Sequence, residues 1–260
     1  MKANNTLWTG RFARSGGLSP CLNYMKTKLW ASITGAVLLG VSGTQSIAGP
    51  EMWVCDQAGN LGRVDVMTGS VTTVGNMSVE LTDIAFAPNG DLYGISFTSL
   101  YRVNRFNATV SKIGDHGINI GNALTFGIDG TLYAASGDTS QLYSVNPDSG
   151  VATALGYVGF RSAGDLAFQN GQLYMATTEN RLIRISLAGP VAVTDVGPFG
   201  QTSVYGLGAG SDGLLYAVAG TQVLTVDPFT GAATYVLNYA SSGLGEAFGI
   251  AFEAEAQAAP

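Results

Sequence analysis

The sequence predicts an all-β fold: a five-bladed β-propeller of four-stranded blades, its ring closed by the C-terminal strand. Three observations carry this reading. A ten-residue pattern recurs at nearly constant spacing. Short β-branched and aromatic runs separated by turn signals lie between its copies. A spare copy of the pattern's opening stands at the end of the chain.

The first pattern is clearest in Ile84 to Tyr93 (IAFAPNGDLY). It lines up with Leu124 to Tyr133 (LTFGIDGTLY), with Leu166 to Tyr174 (LAFQNGQLY, one residue shorter) and, more weakly, with Leu207 to Tyr216 (LGAGSDGLLY). The closing tyrosines fall at 93, 133, 174 and 216, and 40 residues before Tyr93 the same slot holds Trp53. A second pattern follows each copy. Leu142 to Thr153 (LYSVNPDSGVAT) matches Val223 to Thr234 (VLTVDPFTGAAT), Arg63 to Thr72 (RVDVMTGSVT) and Leu100 to Thr109 (LYRVNRFNAT); Leu182 to Pro190 (LIRISLAGP) is the most altered copy.

Each unit therefore reads as four strands. An Ile-Ala-Phe opener meets an Asn-Gly or Asp-Gly turn, whose residues tolerate the positive φ of tight hairpins. A Leu-Tyr strand follows, then a Leu-Tyr-x-Val strand, a Pro-Asp-Ser-Gly type of turn, and a last Val-Ala-Thr strand. No stretch after residue 48 keeps a helical period over three turns. The first unit lacks an opener, and Ala247 to Phe252 (AFGIAF) supplies one. The expected blades are 244–253 with 52–77, then 81–115, 121–157, 163–197 and 204–238. Closure has a physical motive, because an open ring exposes sheet edges that invite aggregation. Phe248, Ile250 and Phe252 are expected to be buried in the closing strand.

The region before residue 49 is not expected to belong to the fold. Lys26 and Lys28 precede an apolar run of 13 residues, Leu29 to Val41, and small residues at Ser46 and Ala48 mark a cleavage site. Residues 25–48 read as a secretory signal peptide, too short to span a membrane comfortably. Met25 is a natural start, which makes 1–24 an expected product of a mis-called start. The protein is thus expected to be secreted or periplasmic, without stable membrane insertion once the leader is removed, and monomeric. Residues 49–260 are expected to form a single propeller domain.

Composition narrows the functional classes. Five of the 12 basic residues (Lys2, Arg11, Arg14, Lys26 and Lys28) and none of the 18 acidic ones precede residue 49, so the remainder carries seven basic residues and a net charge of −11. Such a surface repels phosphate backbones, and nucleic acid is excluded as a natural partner. A single histidine rules out a His-rich metal site within one chain. Cys55 is the one cysteine after residue 48, in an apolar run with no basic neighbour, and reads as an inert buried thiol.

The paired patterns Leu-Ala-Phe-x-x-x-Gly-x-Leu-Tyr and Leu-Tyr-x-Val-Asn-Pro-x-Thr-Gly resemble secreted bacterial propeller proteins with NHL-like, lactonase-like or quinoprotein-like repeats. The resemblance covers nearly all of the chain after residue 48. It implies fold rather than function, since propellers host binding proteins, lyases, lactonases and hydrolases alike. Neither a Trp-Asp repeat signature nor a quinoprotein tryptophan docking motif is present, and no catalytic residue carries over.

Candidate chemistry is sparse. His116, in a loop between the second and third units, would have to serve any Ser-His-Asp triad, but no Gly-x-Ser-x-Gly elbow accompanies it, and it reads as a solvated loop residue. Gly208 to Gly213 matches a dinucleotide fingerprint by letter but lies in a strand-turn-strand context. The Asp-Gly and Asn-Gly turns lack the alternating oxygens of a calcium loop, so no cofactor is expected, with room left for a calcium bound by carbonyls in the channel. Asp83 and Asp165 each stand three residues before an opener phenylalanine, and Glu246 stands at the start of the closing strand. Together they form a candidate acidic ring for a cation, a sugar or acid–base work, or else anchors for backbone amides between blades. The tyrosines Tyr93, Tyr133, Tyr174 and Tyr216 read as packing between blades. Function is expected in unrepeated loop residues: His116, Asn119, Tyr157, Phe160, Arg161, Phe199, Gln201, Tyr205, Tyr239 and Ser241. Of these His116, Arg161, Tyr205 and Tyr239 join the three acids as candidate ligand contacts. The favoured function is a non-catalytic binding propeller for a protein or carbohydrate ligand held on its loop face. The alternatives are a hydrolase, lactonase or lyase acting on a carbohydrate-like substrate, or a surface-layer or matrix component.

Overall fold

The computed structural model describes residues 49–255; the expected leader and the segment before it lie outside the described residues. Twenty strands run in chain order. They are β1 (Glu51–Asp56), β2 (Asn60–Asp65), β3 (Val71–Asn76), β4 (Asp83–Phe86), β5 (Leu92–Ile95), β6 (Ser99–Val103), β7 (Val110–Asp115), β8 (Gly121–Phe126), β9 (Leu132–Ser136) and β10 (Gln141–Val145). They continue with β11 (Ala152–Tyr157), β12 (Ser162–Gln169), β13 (Gln172–Thr177), β14 (Arg181–Ser186), β15 (Ala192–Pro198), β16 (Val204–Ala209), β17 (Leu215–Ala219), β18 (Gln222–Val226), β19 (Ala233–Asn238) and β20 (Ala247–Ala251).

The strands form five four-stranded antiparallel sheets. Four are consecutive meanders beginning at β4, β8, β12 and β16. In the fifth, β20 pairs with β1 (Trp53 opposite Ala251, Val54 opposite Ile250), so the two ends of the described chain share a blade. The openers β4, β8, β12, β16 and β20 neighbour one another in a ring and line the central channel.

The repeat slots explain how blades hold together. Four of the five second-strand aromatics pack on the opener phenylalanine of the next blade: Trp53 on Phe86 at 5.6 Å between ring centroids, Tyr93 on Phe126 at 5.1 Å, and Tyr133 on Phe168 at 5.6 Å. Tyr216 on Phe252, at 5.3 Å, seals the junction between the fifth blade and the first. Tyr174 meets no such partner because the slot that follows it holds Ala209. Offset aromatic contacts of this kind add about 0.5–1.5 kcal/mol each beyond the area they bury. Every blade also bears a bulge between its third and fourth strands, for example at Leu61/Gly62 and Leu142/Tyr143. A bulge raises local twist, which suits sheets splayed around an axis.

The turn residues perform turn duty. The Asp65, Asn104, Asn146 and Asp227 side chains each accept a backbone N–H two residues on, at 2.8–2.9 Å. Cys55 is fully buried with its Sγ facing the carbonyls of Leu81 and Gly249, and burial pushes its thiol far above the ordinary range. Ile250 and Phe252 are buried as expected. Phe248 is only half-buried, because a register shift on β20 between Ala247 and Gly249 turns it towards the channel mouth.

Candidate functional site

The five openers place equivalent residues at equal depth in the channel. The residues before Ile84, Leu124, Leu166, Leu207 and Ile250 are Asp83, Ala123, Asp165, Gly206 and Gly249. At this level two carboxyls satisfy five amides. Asp83 accepts the N–H of Ile84 through Oδ1 and of Leu124 through Oδ2, both at 2.7 Å. Asp165 accepts Leu166 N–H through Oδ1 at 2.7 Å, and both Leu207 N–H at 2.7 Å and Ile250 N–H at 3.3 Å through Oδ2. One amide from every blade is thereby tied to the channel axis. Both acids are fully buried and close enough to hydrogen-bond one another. Burial pushes both well above the usual carboxylate range; Asp165's charge raises Asp83 further, while the amide of Leu207 partly offsets the rise at Asp165. Gly249 is small because the Asp83 carboxyl occupies the space beside it, and Gly206 because the Ile250 side chain does. A Cβ on Gly249 would stand 2.2 Å from Asp83 Oδ1.

Glu246 does not join this ring. It lies three residues before the equivalent slot, Gly249, and is exposed. Nor do the acids fit a cation: all four oxygens of Asp83 and Asp165 already accept N–H groups. Among the described residues no three His, Cys, Asp or Glu side chains gather as a metal site.

One residue nearer the surface the copies diverge. The slot holds Thr82, Asn122, Gly164, Tyr205 and Phe248, and all five line one pocket of about 240 Å³ together with Ala163 and Phe97, the latter from the β5–β6 turn. Bulges aim them there: the pairing of β8, β16 and β20 with their neighbours skips Asn122, Tyr205 and Phe248. Thr82 donates to the carbonyl of Ile95 at 3.1 Å, with that of Gly121 at 3.3 Å. Asn122 donates Nδ2–H to the Ser162 carbonyl at 3.1 Å, while its buried Oδ1 meets no donor among the described residues. Gly164 is required here, since a Cβ would stand 2.8 Å from the Tyr205 carbonyl oxygen and 3.3 Å from that of Phe248. Phe97 and Tyr205 are 49% and 39% exposed, which leaves two rings at the rim open to a ligand.

The other expected contacts lie elsewhere. His116 is buried, not solvated: Nδ1 accepts Ile118 N–H at 3.0 Å and Nε2 faces the Ser96 carbonyl at 3.1 Å. Burial lowers its pKa, so the imidazole is a neutral brace between blades. Tyr239 and Phe199 are buried in the core beside the connections they belong to. Arg161 is exposed in the connection entering the fourth blade but does not line the pocket.

The opposite end of the channel holds a residue the sequence did not single out. Glu255 accepts Phe168 N–H at 2.8 Å and Thr125 Oγ1–H at 3.1 Å, and burial pushes its carboxyl up to about 8. Between it and the openers the channel keeps a void of only about 10 Å³. The tail is fastened again where Arg105 pairs with Glu253 at 2.9 Å.

A scan against protein families finds no match, and neither does a search of curated proteins. Solved structures of similar fold include a protein named as a gluconolactonase, 18% identical over 73% of this chain and 78% of that one, with a TM-score of 0.53. A protein of unknown function from Bacteroides caccae is 12% identical over 78% of this chain and 99% of that one, with a TM-score of 0.52. A virginiamycin B lyase from Staphylococcus aureus is 13% identical over 77% of this chain and 74% of that one, with a TM-score of 0.47. At these identities the likeness is one of fold alone, that of a β-propeller.

Proposed function

We propose that the protein is a non-catalytic binding propeller, acting outside the cytoplasm, that holds a protein or glycan ligand at the mouth where the openers begin. One observation carries this reading. Five copies of a repeat place five different residues at a single slot, and those residues converge on a pocket with two half-exposed aromatic rings at its rim. Packing duty selects similar residues from blade to blade, as it does at the phenylalanine and tyrosine slots; a shared slot that diverges, lines a pocket and is not explained by the amide count of the layer below suits recognition.

The alternative is a hydrolase, lactonase or lyase working at the same mouth, and the nearness of Asp83 to Asp165 favours it. Against it, every oxygen of the pair is occupied by an amide one layer below the pocket floor. The test is a glycan and peptide array probed with the protein and with Tyr205→Ala. Binding without turnover, weakened by Tyr205→Ala, is the expected outcome. Turnover that disappears in Asp83→Asn at a temperature where that variant remains folded would replace the binding reading with the enzymatic one.

A further inference from the structure

The polar groups of the mouth are unbalanced in one direction. Thr82 has committed its hydroxyl proton to backbone carbonyls and offers only lone pairs inward. Asn122 is 8% exposed, and its Oδ1 is an acceptor without a donor among the described residues. The Tyr205 and Phe248 carbonyls crowd the Cα of Gly164, and the bulges remove these residues from the pairing of their strands. No Lys, Arg or His is among the residues that line the pocket. Around this layer the chain after residue 48 carries 18 acidic residues against seven basic ones. A group entering here meets acceptors, negative charge and aromatic rings. An anion is repelled, and a neutral acceptor has only the Tyr205 hydroxyl and the Asn122 amide to turn to among the lining side chains.

Resting on the binding reading above, we infer that the mouth takes an organic ammonium group, with Phe97, Tyr205 and Phe248 providing its aromatic surround and Asn122 Oδ1 and the carbonyls of Tyr205 and Phe248 accepting its N–H donors. An ammonium satisfies each feature at once. It brings up to three donors on one atom, it is attracted to ring faces, and its charge complements the acidic excess of the chain after residue 48. A hydroxyl of a neutral sugar supplies one donor and no charge, so it answers only part of this surface. The ammonium could be carried by an amino sugar or by a lysine side chain; both present the same chemistry to the pocket.

The experiment is isothermal titration of the purified protein with matched probes at one ionic strength: glucosamine against glucose and N-acetylglucosamine, n-butylammonium against n-butanol, N-acetyl-lysine amide against its N-acetylated side-chain form, and calcium chloride alone. The expected result is that the cationic member of each pair binds about tenfold tighter or better. That advantage should fall in Tyr205→Leu, which keeps apolar bulk but removes the ring, and survive in Tyr205→Phe. The amino-sugar and lysine arms then show which carrier fits. Equal binding of glucosamine and glucose overturns the inference and leaves the binding reading in place. Calcium binding without preference for any ammonium also overturns it, in favour of a metal at the carbonyls. No binding by any probe, in a protein that also gives no array signal, overturns both.

Discussion

Two adjacent layers of the same channel behave in opposite ways. At one level Asp83 and Asp165 collect an amide from every blade, and the other three copies carry the small residues Ala123, Gly206 and Gly249, the last leaving room for the Asp83 carboxyl. At the next level outward the slot holds Thr82, Asn122, Gly164, Tyr205 and Phe248, which share no property except that they face a common space. The inner layer is solved once for the whole ring, and its residues are dictated by counting donors against acceptors. The outer layer is under no such constraint, so its chemistry is open to a ligand. The lesson is that in a repeat fold, a slot whose residues are accounted for by packing or by the count of donors and acceptors marks structure, and a divergent slot without that account marks the candidate site.

The largest effect should come from breaking the ring itself. Truncation after Gly243 removes β20, and with it the fully buried Ile250 and Phe252, the Tyr216–Phe252 contact and one of the three amides held by Asp165. Two such side chains are worth about 3–6 kcal/mol together, comparable to the whole stability of a domain. The truncated chain is expected to be insoluble or molten; a thermal midpoint equal to that of the full chain would remove closure from the account.

Next in size is Asp165→Asn. Asp165 Oδ2 serves two amides and its partner oxygen a third, and an asparagine must turn an NH₂ towards at least one of them. Loss of an acceptor at a buried donor costs about 1–3 kcal/mol per group, so a loss of about 3 kcal/mol is expected by urea denaturation. Asp83→Asn, which serves two amides, should cost less. If both cost nothing, the inner layer is not the structural clip described here.

The acids also set a pH dependence. Glu255 is pushed up to about 8 in the folded chain, and Asp83 and Asp165 are also raised by burial. A raised carboxylate means the native state binds more protons than the unfolded state between the two pKa values, so stability falls as pH rises through that window. For Glu255 the window runs from its unperturbed value near 4.5 to about 8. Thermal midpoints are therefore expected to decline between those limits, and Glu255→Gln is expected to flatten the decline across the window. A rise in stability towards pH 8 contradicts the assigned burial.

The blades were legible because hairpin turns and packing aromatics are local signals that repeat. The acid pair was legible for the same reason: Asp83 and Asp165 occupy one slot of the opener. Glu246 was placed beside them by its nearness to the last strand rather than by register, and register puts Gly249 there instead. His116 and Tyr239 sit in connections between blades, which sequence reads as polar loops; the connections fold inward, and whether they do depends on neighbours far away in the chain. Glu255 lies beyond the last repeat, so nothing in the pattern pointed to it. Asn122 and Phe248 were within reach, since aligning the openers and asking which slot varies identifies both.

The smallest effect on stability should accompany the largest on binding, and Phe97→Ala isolates the two. Phe97 stands in the turn between β5 and β6 with its side chain half exposed at the rim of the mouth, while its backbone carbonyl accepts Gly121 N–H at 3.2 Å. The substitution keeps that backbone bond and removes only the ring. Stability should change by no more than about 0.5 kcal/mol, as for an ordinary surface site. Affinity for whatever ligand the array identifies should fall by about tenfold, because the ring is one of the few apolar faces the pocket offers. If affinity is unchanged while Asp165→Asn abolishes binding at a temperature where that variant is folded, then the ligand reads the inner layer, and the division between a structural level and a recognising level has to be reversed.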